Sequence, residues 1–410
     1  MKHGPAFLNK GLTRVGLLLI FLIGTQLSCN GNGNGSKDDQ TTDGNGSQGN
    51  GRAEIIIPDD QPTIEAGIIA ASDGDLILIR PGVYYENLNL QDKKITLASW
   101  YHVSEQEEYI KQTIIDGGGD AVIVADDGAG GTTILGLTIQ NGRDGITVKA
   151  NIEILNCRFL DNGDGVDYEG GGGTCSFNVF SSNTDDGIDL DGPVAVTIHG
   201  NLIQDNGDDG IEIRLHPYTG AVLDIVISGN EISGNQEDGI QLIDYPEISD
   251  RVIRIERNLI VNNEMAAIGF MGDGNTREDF SGAPIPEQVY IFNNTLIENQ
   301  YGIIGGASVV AVNNIIAGTS FTAMRNVIGD SIVSYSLFWN NGINYENSNI
   351  DLVTIVLSDP LMDADYSLIL SSPAIDAGTA VFQWKGEIVL DIPPEMFSGT
   401  APDMGAVESN

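Results

Sequence analysis

NLIQDNGDDGI, from Asn201 to Ile211, is one copy of a phrase that recurs along this 410-residue chain. Two asparagines stand with four residues between them, a small acidic turn follows, and Gly-Ile closes the phrase. Other copies read NVFSSNTDDGI from Asn178, NEISGNQEDGI from Asn230, NLIVNNEMAAI from Asn258 and NTLIENQYGI from Asn294. Upstream, GLTIQNGRDGI from Gly136 and CRFLDNGDGV from Cys157 carry Gly or Cys at the first position, and a degenerate copy begins at Asn314. Successive first asparagines are 23 residues apart (Asn178 to Asn201), then 29, 28 and 36 (Asn258 to Asn294). A fixed phrase at such a period means one structural coil per repeat, stacked along an axis.

Each coil divides into three short strands. Around Asn201 they are VTIHG before the first Asn, LIQ between the asparagines and GIEIRL after the acidic turn. The inward positions are Ile, Val and Leu, so the spacing predicts an all-β solenoid of parallel coils around an aliphatic core. Asn178, Asn201, Asn230, Asn258 and Asn294 are expected to stack in one turn column, hydrogen-bonding along it and satisfying buried turn backbone. Asp-Gly before Ile is also good turn chemistry, since Asp accepts backbone hydrogen bonds and Gly takes positive φ.

Between Asn178 and Asn294 the coils lengthen at one place only, after the Gly-Ile strand. The additions are LHPYTGAVLD from Leu215, IDYPEISDR from Ile243 and MGDGNTREDFSGAPIPEQ from Met271. Loops stacked on one side make a wall beside the Gly-Ile sheet, the usual working face of a solenoid. Ahead of the repeats, Gln61 to Ser72 has helical apolar spacing at Ile64, Ile68 and Ile69, and a helix there would cover the open first coil.

The first 28 residues have a basic start (Lys2, Lys10, Arg14) and an apolar stretch from Val15 to Gly24, the pattern of an export signal and too short for a permanent span. Residues 29–52 are Asn, Gly, Ser, Asp and Gln with almost nothing apolar, a disordered tether. The remaining divisions are a cap with first coils at 53–132, the repeats at 133–345, and C-terminal coils with a cap at 346–410. The chain carries 19 Lys and Arg against 58 Asp and Glu, a net charge of −39. Without the signal, which holds three basic residues and no acid, 16 basic face 58 acidic residues, a net of −42. Nucleic acid is thereby excluded as a partner, and an anionic polymer would need bridging cations. Calcium, which takes several carboxylate oxygens, is the cation expected. Cys157 falls in the Asn column and Cys175 three residues before it in the next coil, an offset that predicts two separate buried thiols.

PTIEAGIIAASDGDLILIRPGVYYENLNL from Pro62, the Asn-rich repeats, SDPLMDADYSLILSSPAIDAGT from Ser358 and PDMGAVE from Pro402 resemble right-handed parallel β-helix proteins of the pectin-lyase-like superfamily. The resemblance spans residues 53–410. It implies an all-β, right-handed parallel β-helix with an N-terminal capping helix, a fold that hosts lyases, hydrolases, epimerases and non-catalytic surface proteins. Gln26-Leu27-Ser28-Cys29 resembles a bacterial lipobox, implying an exported lipoprotein anchored through Cys29 to the cell envelope; the other reading is ordinary cleavage near the same point and a freely secreted protein.

Strand alternation gives the outward column of the Gly-Ile sheet: Thr147, Asp167, Asp189, Glu212, Gln241 and Gly269. Two residues further on stand Lys149, Glu169, Asp191, Arg214, Ile243 and Met271. The preceding turns add Asp164, Asp185, Asp186, Asp208, Asp209, Glu237 and Asp238. Carboxylates this close raise one another's pKa unless a cation neutralises them. Asp164, Asp167, Asp185, Asp186, Asp189, Asp208 and Asp209 are therefore the expected calcium ligands. Asp185-Asp186-Gly187-Ile188-Asp189 resembles the calcium-binding cluster of family-nine pectate lyases. That resemblance implies an extracellular, uronate-containing polysaccharide as substrate, with a Lys or Arg taking the C5 proton. Arg214 is the nearest basic residue and His216 follows it. Tyr218 and Tyr245 in the wall loops could stack on sugar rings, while His199 reads as packing or surface. Three other readings stand beside this one. They are turn chemistry alone, a non-catalytic cell-surface binding or adhesion protein, and an inverting hydrolase resembling polygalacturonases through Asn183-Thr184-Asp185 and Asp208-Asp209. The chain is expected to be a monomer.

Overall fold

The computed structural model describes residues 53–409. The expected export signal, tether and Cys29 anchor lie outside the described residues. Three long sheets carry the stacked coils. Sheet I, twelve strands from Glu54–Ile57 to Ile332–Ser334, precedes the first Asn turn. Sheet II, twelve strands from Gly82–Tyr85 to Val356–Leu357, lies between the Asn turns. Sheet III, eleven strands from Leu88–Asn89 to Ile343–Glu346, contains the Gly-Ile strands. All neighbours within these sheets are parallel and one coil apart. The register is the one the repeat implies: Val166, Ile188, Ile211, Ile240 and Ile268 align, and so do Asp167, Asp189, Glu212, Gln241 and Gly269. The aligned Ile and Val side chains are fully buried in one continuous aliphatic core, joined by the stacked rings of Phe159 and Phe180.

Both asparagine positions form ladders. Asn178 Nδ2 donates to Asn201 Oδ1 (3.0 Å), Asn201 to Asn230 (2.9 Å), Asn230 to Asn258 (2.9 Å), Asn258 to Asn294 (3.0 Å) and Asn294 to Asn314 (3.1 Å). A second column runs from Asn162 through Asn183, Asn206, Asn235 and Asn263 to Asn299. Each Oδ1 also accepts a backbone N–H from the coil before, so the corners keep no buried donor unpaired. The residue ahead of each first-column Asn is left-handed: φ is 58° at Phe177, 65° at Gly200, 63° at Gly229 and 54° at Arg257. Glycine fits this corner without strain, which accounts for Gly200 and Gly229.

The capping helix spans Ile64–Ala70, with the Thr63 side chain accepting from Ala66 N–H at 3.1 Å. Ile64 and Ile68 enter the core, but Ile69 is 58% exposed. Expected as part of the buried face, Ile69 falls outside it because the helix is short and offers only the Ile64–Gly67–Ile68 edge. At the other end, Val356–Leu357 is the last parallel strand. The chain then turns back, and the antiparallel pair Val381–Trp384 and Glu387–Asp391 covers Phe292, Val310 and Val312 on the outside of sheet I. Asn293 Nδ2 and Asn313 Nδ2 hold this segment through the Asp403 and Thr379 carbonyls. Cys157 and Cys175 are buried and free, as two separate thiols.

Candidate metal centre on sheet III

The turn before each sheet III strand holds a third ladder, made of aspartates. Asp164 Oδ1 accepts from Asp186 N–H (3.0 Å), Asp186 from Asp209 (2.8 Å), Asp209 from Asp238 (2.6 Å) and Asp238 from Ala266 (2.6 Å). Turn chemistry thus uses one oxygen of each Asp. It leaves Oδ2 of Asp209 and of Asp238 buried without a hydrogen-bond partner.

The outward column adds more acids on the same face. Asp167, Asp189 and Glu212 point away from the core, yet they are nearly inaccessible, at 7%, 5% and 2% exposure. Four sets of carboxylates have oxygens within 4.8 Å of one another: Asp164, Asp185 and Asp186; Asp167, Asp189 and Asp191; Asp186, Asp189 and Glu212; Asp208, Asp209 and Glu237. All seven aspartates expected as ligands therefore come together. Asp191, Glu212 and Glu237 belong with them, and their place in the outward column and the acidic turns is the signal that finds them.

Burial is the main cause of the electrostatic strain, and neighbouring charges add to it. Burial, then Glu212 and Asp191, push Asp189 up to about 9. Burial, then Asp144 and Asp191, push Asp167 up to about 7. Burial raises Asp164 to about 6. Burial with Glu237 and Asp185 raises Asp208 to about 7. Asp186 and Asp209, fully enclosed, are raised well above the ordinary carboxylate range, first by burial and then by neighbouring acids. Glu212 rises to about 7 through burial, with Arg214 opposing.

Arg214 lies at the edge of this patch. Its guanidinium meets Glu212 at 2.5 Å, Asp191 at 3.1 Å and Asp189 at 3.9 Å. Burial alone would lower its pKa, but Asp189, Glu212 and Asp191 outweigh burial and the net shift is upward. In this setting Arg214 is held as a cation. His216 is stacked on Tyr245 with ring centres 4.2 Å apart, and neither its ring nor Tyr218 is paired with the acids. Arg251 fixes the wall loops from behind: it donates to the carbonyls of His216 (2.7 Å) and Gly192 (2.8 Å) and to Ser249, and its guanidinium lies over the Tyr218 ring. His199 is exposed, bonding Ser228 and packing edge-on to Phe177.

The residues present fit calcium. Carboxylate oxygens within 4.8 Å match a hard cation held at about 2.3–2.6 Å from each ligand. Asp167 Oδ1 and Asp189 Oδ1 are buried with no hydrogen-bond partner, the condition a cation relieves.

A family model for the right handed beta helix region matches residues 101–217 and 151–321, together more than half of the chain. The chain belongs to the right-handed β-helix family. Among solved structures, pectate lyase Pel9A matches this β-helix with a TM-score of 0.53 at 16% identity, over 87% of this chain and 96% of that one. The A-module of mannuronan C-5 epimerase AlgE4 from Azotobacter vinelandii matches at 0.41 and 15% identity, over 70% and 91% of the two chains. The catalytic unit of a GH87 α-1,3-glucanase from Streptomyces thermodiastaticus strain HF3-3 gives 0.46 and 14%, over 74% and 66%. At these identities the likeness is one of fold. No curated protein sequence matches the β-helix.

Proposed function

We propose that this β-helix protein is exported and captures an acidic, uronate-containing polysaccharide along sheet III, using calcium held by its carboxylates. The observation that carries this reading is the run of acids Asp164, Asp167, Asp185, Asp186, Asp189, Asp208 and Asp209, whose oxygens gather in sets within 4.8 Å beside one guanidinium. Asp167, Asp189 and Asp191 would hold the ion nearest Arg214, with Asp186 and Glu212 behind. When bound there, calcium supplies the positive charge that neutralises a uronate carboxylate and acidifies the neighbouring C–H. Arg214 offers a planar pair of donors to a second carboxylate oxygen. Its own carboxylate partners keep it oriented toward the face of the sheet. The shared fold with a pectate lyase supports this substrate class.

Elimination is the second reading, favoured by the place of Arg214 beside the acids. For that reaction Arg214 must release its proton, whereas Asp189, Glu212 and Asp191 favour its charged form. Ligation of Asp189 and Asp191 to calcium would remove two of these partners and leave Glu212. An inverting hydrolase fits less well. Asp185 and Asp208 are within hydrogen-bonding reach of each other, whereas inversion needs about 6.5–9.5 Å between its carboxyls to seat a water.

The two readings separate in one experiment on polygalacturonate and alginate, with and without millimolar calcium. Capture predicts calcium-dependent retardation in affinity gels, weakened at least tenfold by Arg214→Ala and partly kept by Arg214→Lys. Elimination adds absorbance from unsaturated products, abolished in both variants. Neither retardation nor absorbance in calcium would remove both. The anchor is tested independently: Cys29→Ala is expected to shift the protein from the membrane pellet to the soluble fraction, and unchanged pelleting would rule out lipidation.

A further inference from the structure

The longest wall loop, between the strands Ala266–Met271 and Gln288–Phe292, does more than stand beside sheet III. It folds back across the sheet. Glu278 N–H reaches Glu237 Oε2 at 3.3 Å, and the Glu278 side chain turns inward at 6% exposure. Its Oε1 accepts from Phe280 N–H at 2.5 Å, and its Oε2 is buried with no partner. Beneath it lies Asp238, fully buried, with Oδ1 on Ala266 N–H and Oδ2 unpartnered.

Gly269 shows where these two oxygens are. A Cβ on Gly269 would fall 1.9 Å from Asp238 Oδ2 and 2.4 Å from Glu278 Oε2. The two carboxylates therefore meet in the space that a side chain of the outward column would fill, close enough for one cation to touch both. Gln241 occupies the adjoining position of that column, aligned with Gly269. Its neighbours Ile240 and Leu242 face the core, so its amide faces the covered space. Gln241 is completely buried, and neither Oε1 nor Nε2 has a hydrogen-bond partner. Two apposed carboxylates need either a shared proton or a cation between them. A shared proton leaves the Gln241 amide oxygen unanswered, and a buried polar atom without a partner is destabilising. A hard cation takes the amide oxygen as a further ligand.

We propose that Asp238, Gln241 and Glu278 bind a calcium ion that pins the 272–287 loop onto sheet III, separately from the acids around Asp189. The site does not rest on the polysaccharide reading, and its role is to close the loop.

The test uses the purified chain, stripped with chelator and reloaded with calcium alone. Bound calcium is counted by elemental mass spectrometry, and proteolysis of the 272–287 loop is timed. Calcium is expected to slow loop cleavage at least tenfold in the parent protein. Glu278→Gln and Gln241→Leu should each bind one fewer calcium and lose that protection, while Asp189→Asn keeps the protection. Gln241→Leu gives opposite signs for the two alternatives. If the pair only shares a proton, removing an unsatisfied amide raises the melting temperature in calcium and chelator alike, with calcium count and loop cleavage unchanged. That result, or equal loop cleavage with and without calcium in the parent protein, overturns the proposal.

Discussion

Replacing Asn230 by Leu is expected to destabilise the coil stack by about 3–5 kcal/mol in denaturant unfolding, as several buried polar groups lose partners at about 1–3 kcal/mol each. Asn230 Oδ1 accepts from both Asn201 N–H (2.9 Å) and Asn201 Nδ2 (2.9 Å). Its Nδ2 donates to Ile198 O (3.0 Å) and Asn258 Oδ1 (2.9 Å). Leucine has the same branched outline with bulkier methyl ends but answers none of these groups, and water cannot reach them, because Asn230 is 2% exposed. Asp205→Asn is the control. Asp205 is exposed and left-handed (φ 55°) in the neighbouring corner, and Asn tolerates that conformation. It should change stability by less than about 0.5 kcal/mol. A loss below about 1 kcal/mol for Asn230→Leu would mean that the ladder follows the stack rather than sustaining it.

An inverted pH dependence is the second large effect. Acids whose folded pKa lies above the unfolded value bind more protons in the folded state, so their contribution is fully present below about pH 4 and is lost as pH rises. Here the loss runs through the folded values, about 6 for Asp164, about 7 for Asp167 and Asp208, and about 9 for Asp189. In chelator the protein should therefore melt hotter at pH 5.5 than at pH 8. For each extra proton held by the fold, stability falls by about 1.4 kcal/mol per pH unit. Calcium binds the ionised form and acts in the opposite direction. At a hundredfold excess over Kd it adds about 2.7 kcal/mol at one site, so the slope above pH 6 should flatten. Asp186→Ala with Asp189→Ala should reduce the slope to the part carried by Asp164, Asp167 and Asp208, and should remove most of the calcium effect. A chelated protein that melts lower at pH 5.5 than at pH 8 would contradict this account of the buried acids.

What the sequence disclosed and what it withheld follow from how each feature is encoded. The register of sheet III was legible because the period of Gly-Ile and the alternation of strands are local properties. Asp167, Asp189 and Glu212 align as those rules require. The Asn ladder was legible for the same reason. The depth of the acids was not. Burial on this face depends on how the wall loops fold, and a loop's path is set by contacts distant in sequence, such as Glu278 on Glu237 over Asp238. Alternation does place Arg214 beside Glu212 on its own strand and beside Asp191 on the preceding coil, but the closeness of those ion pairs depends on side-chain rotamers that it does not give. The return of the C-terminal segment over Phe292, Val310 and Val312 likewise joins residues far apart in the chain. Ile69 was misplaced because helical periodicity does not say how wide a face a short helix buries.

The asparagine columns also decide where this molecule can change. An extra residue at either Asn corner would shift an amide out of its column, and the loss would fall on the coils above and below. The third corner carries no such column, and the long insertions of the coils from Ile211 to Gln288 have accumulated there, whereas the helical insertion at residues 100–112 sits at the first corner before its Asn column begins. The protein is thus a ruler with two fixed edges and one editable edge, graduated at about 4.8 Å per coil. Exchanging a single loop would rewrite one graduation and leave the others in place, so new specificities on this scaffold can be built one coil at a time.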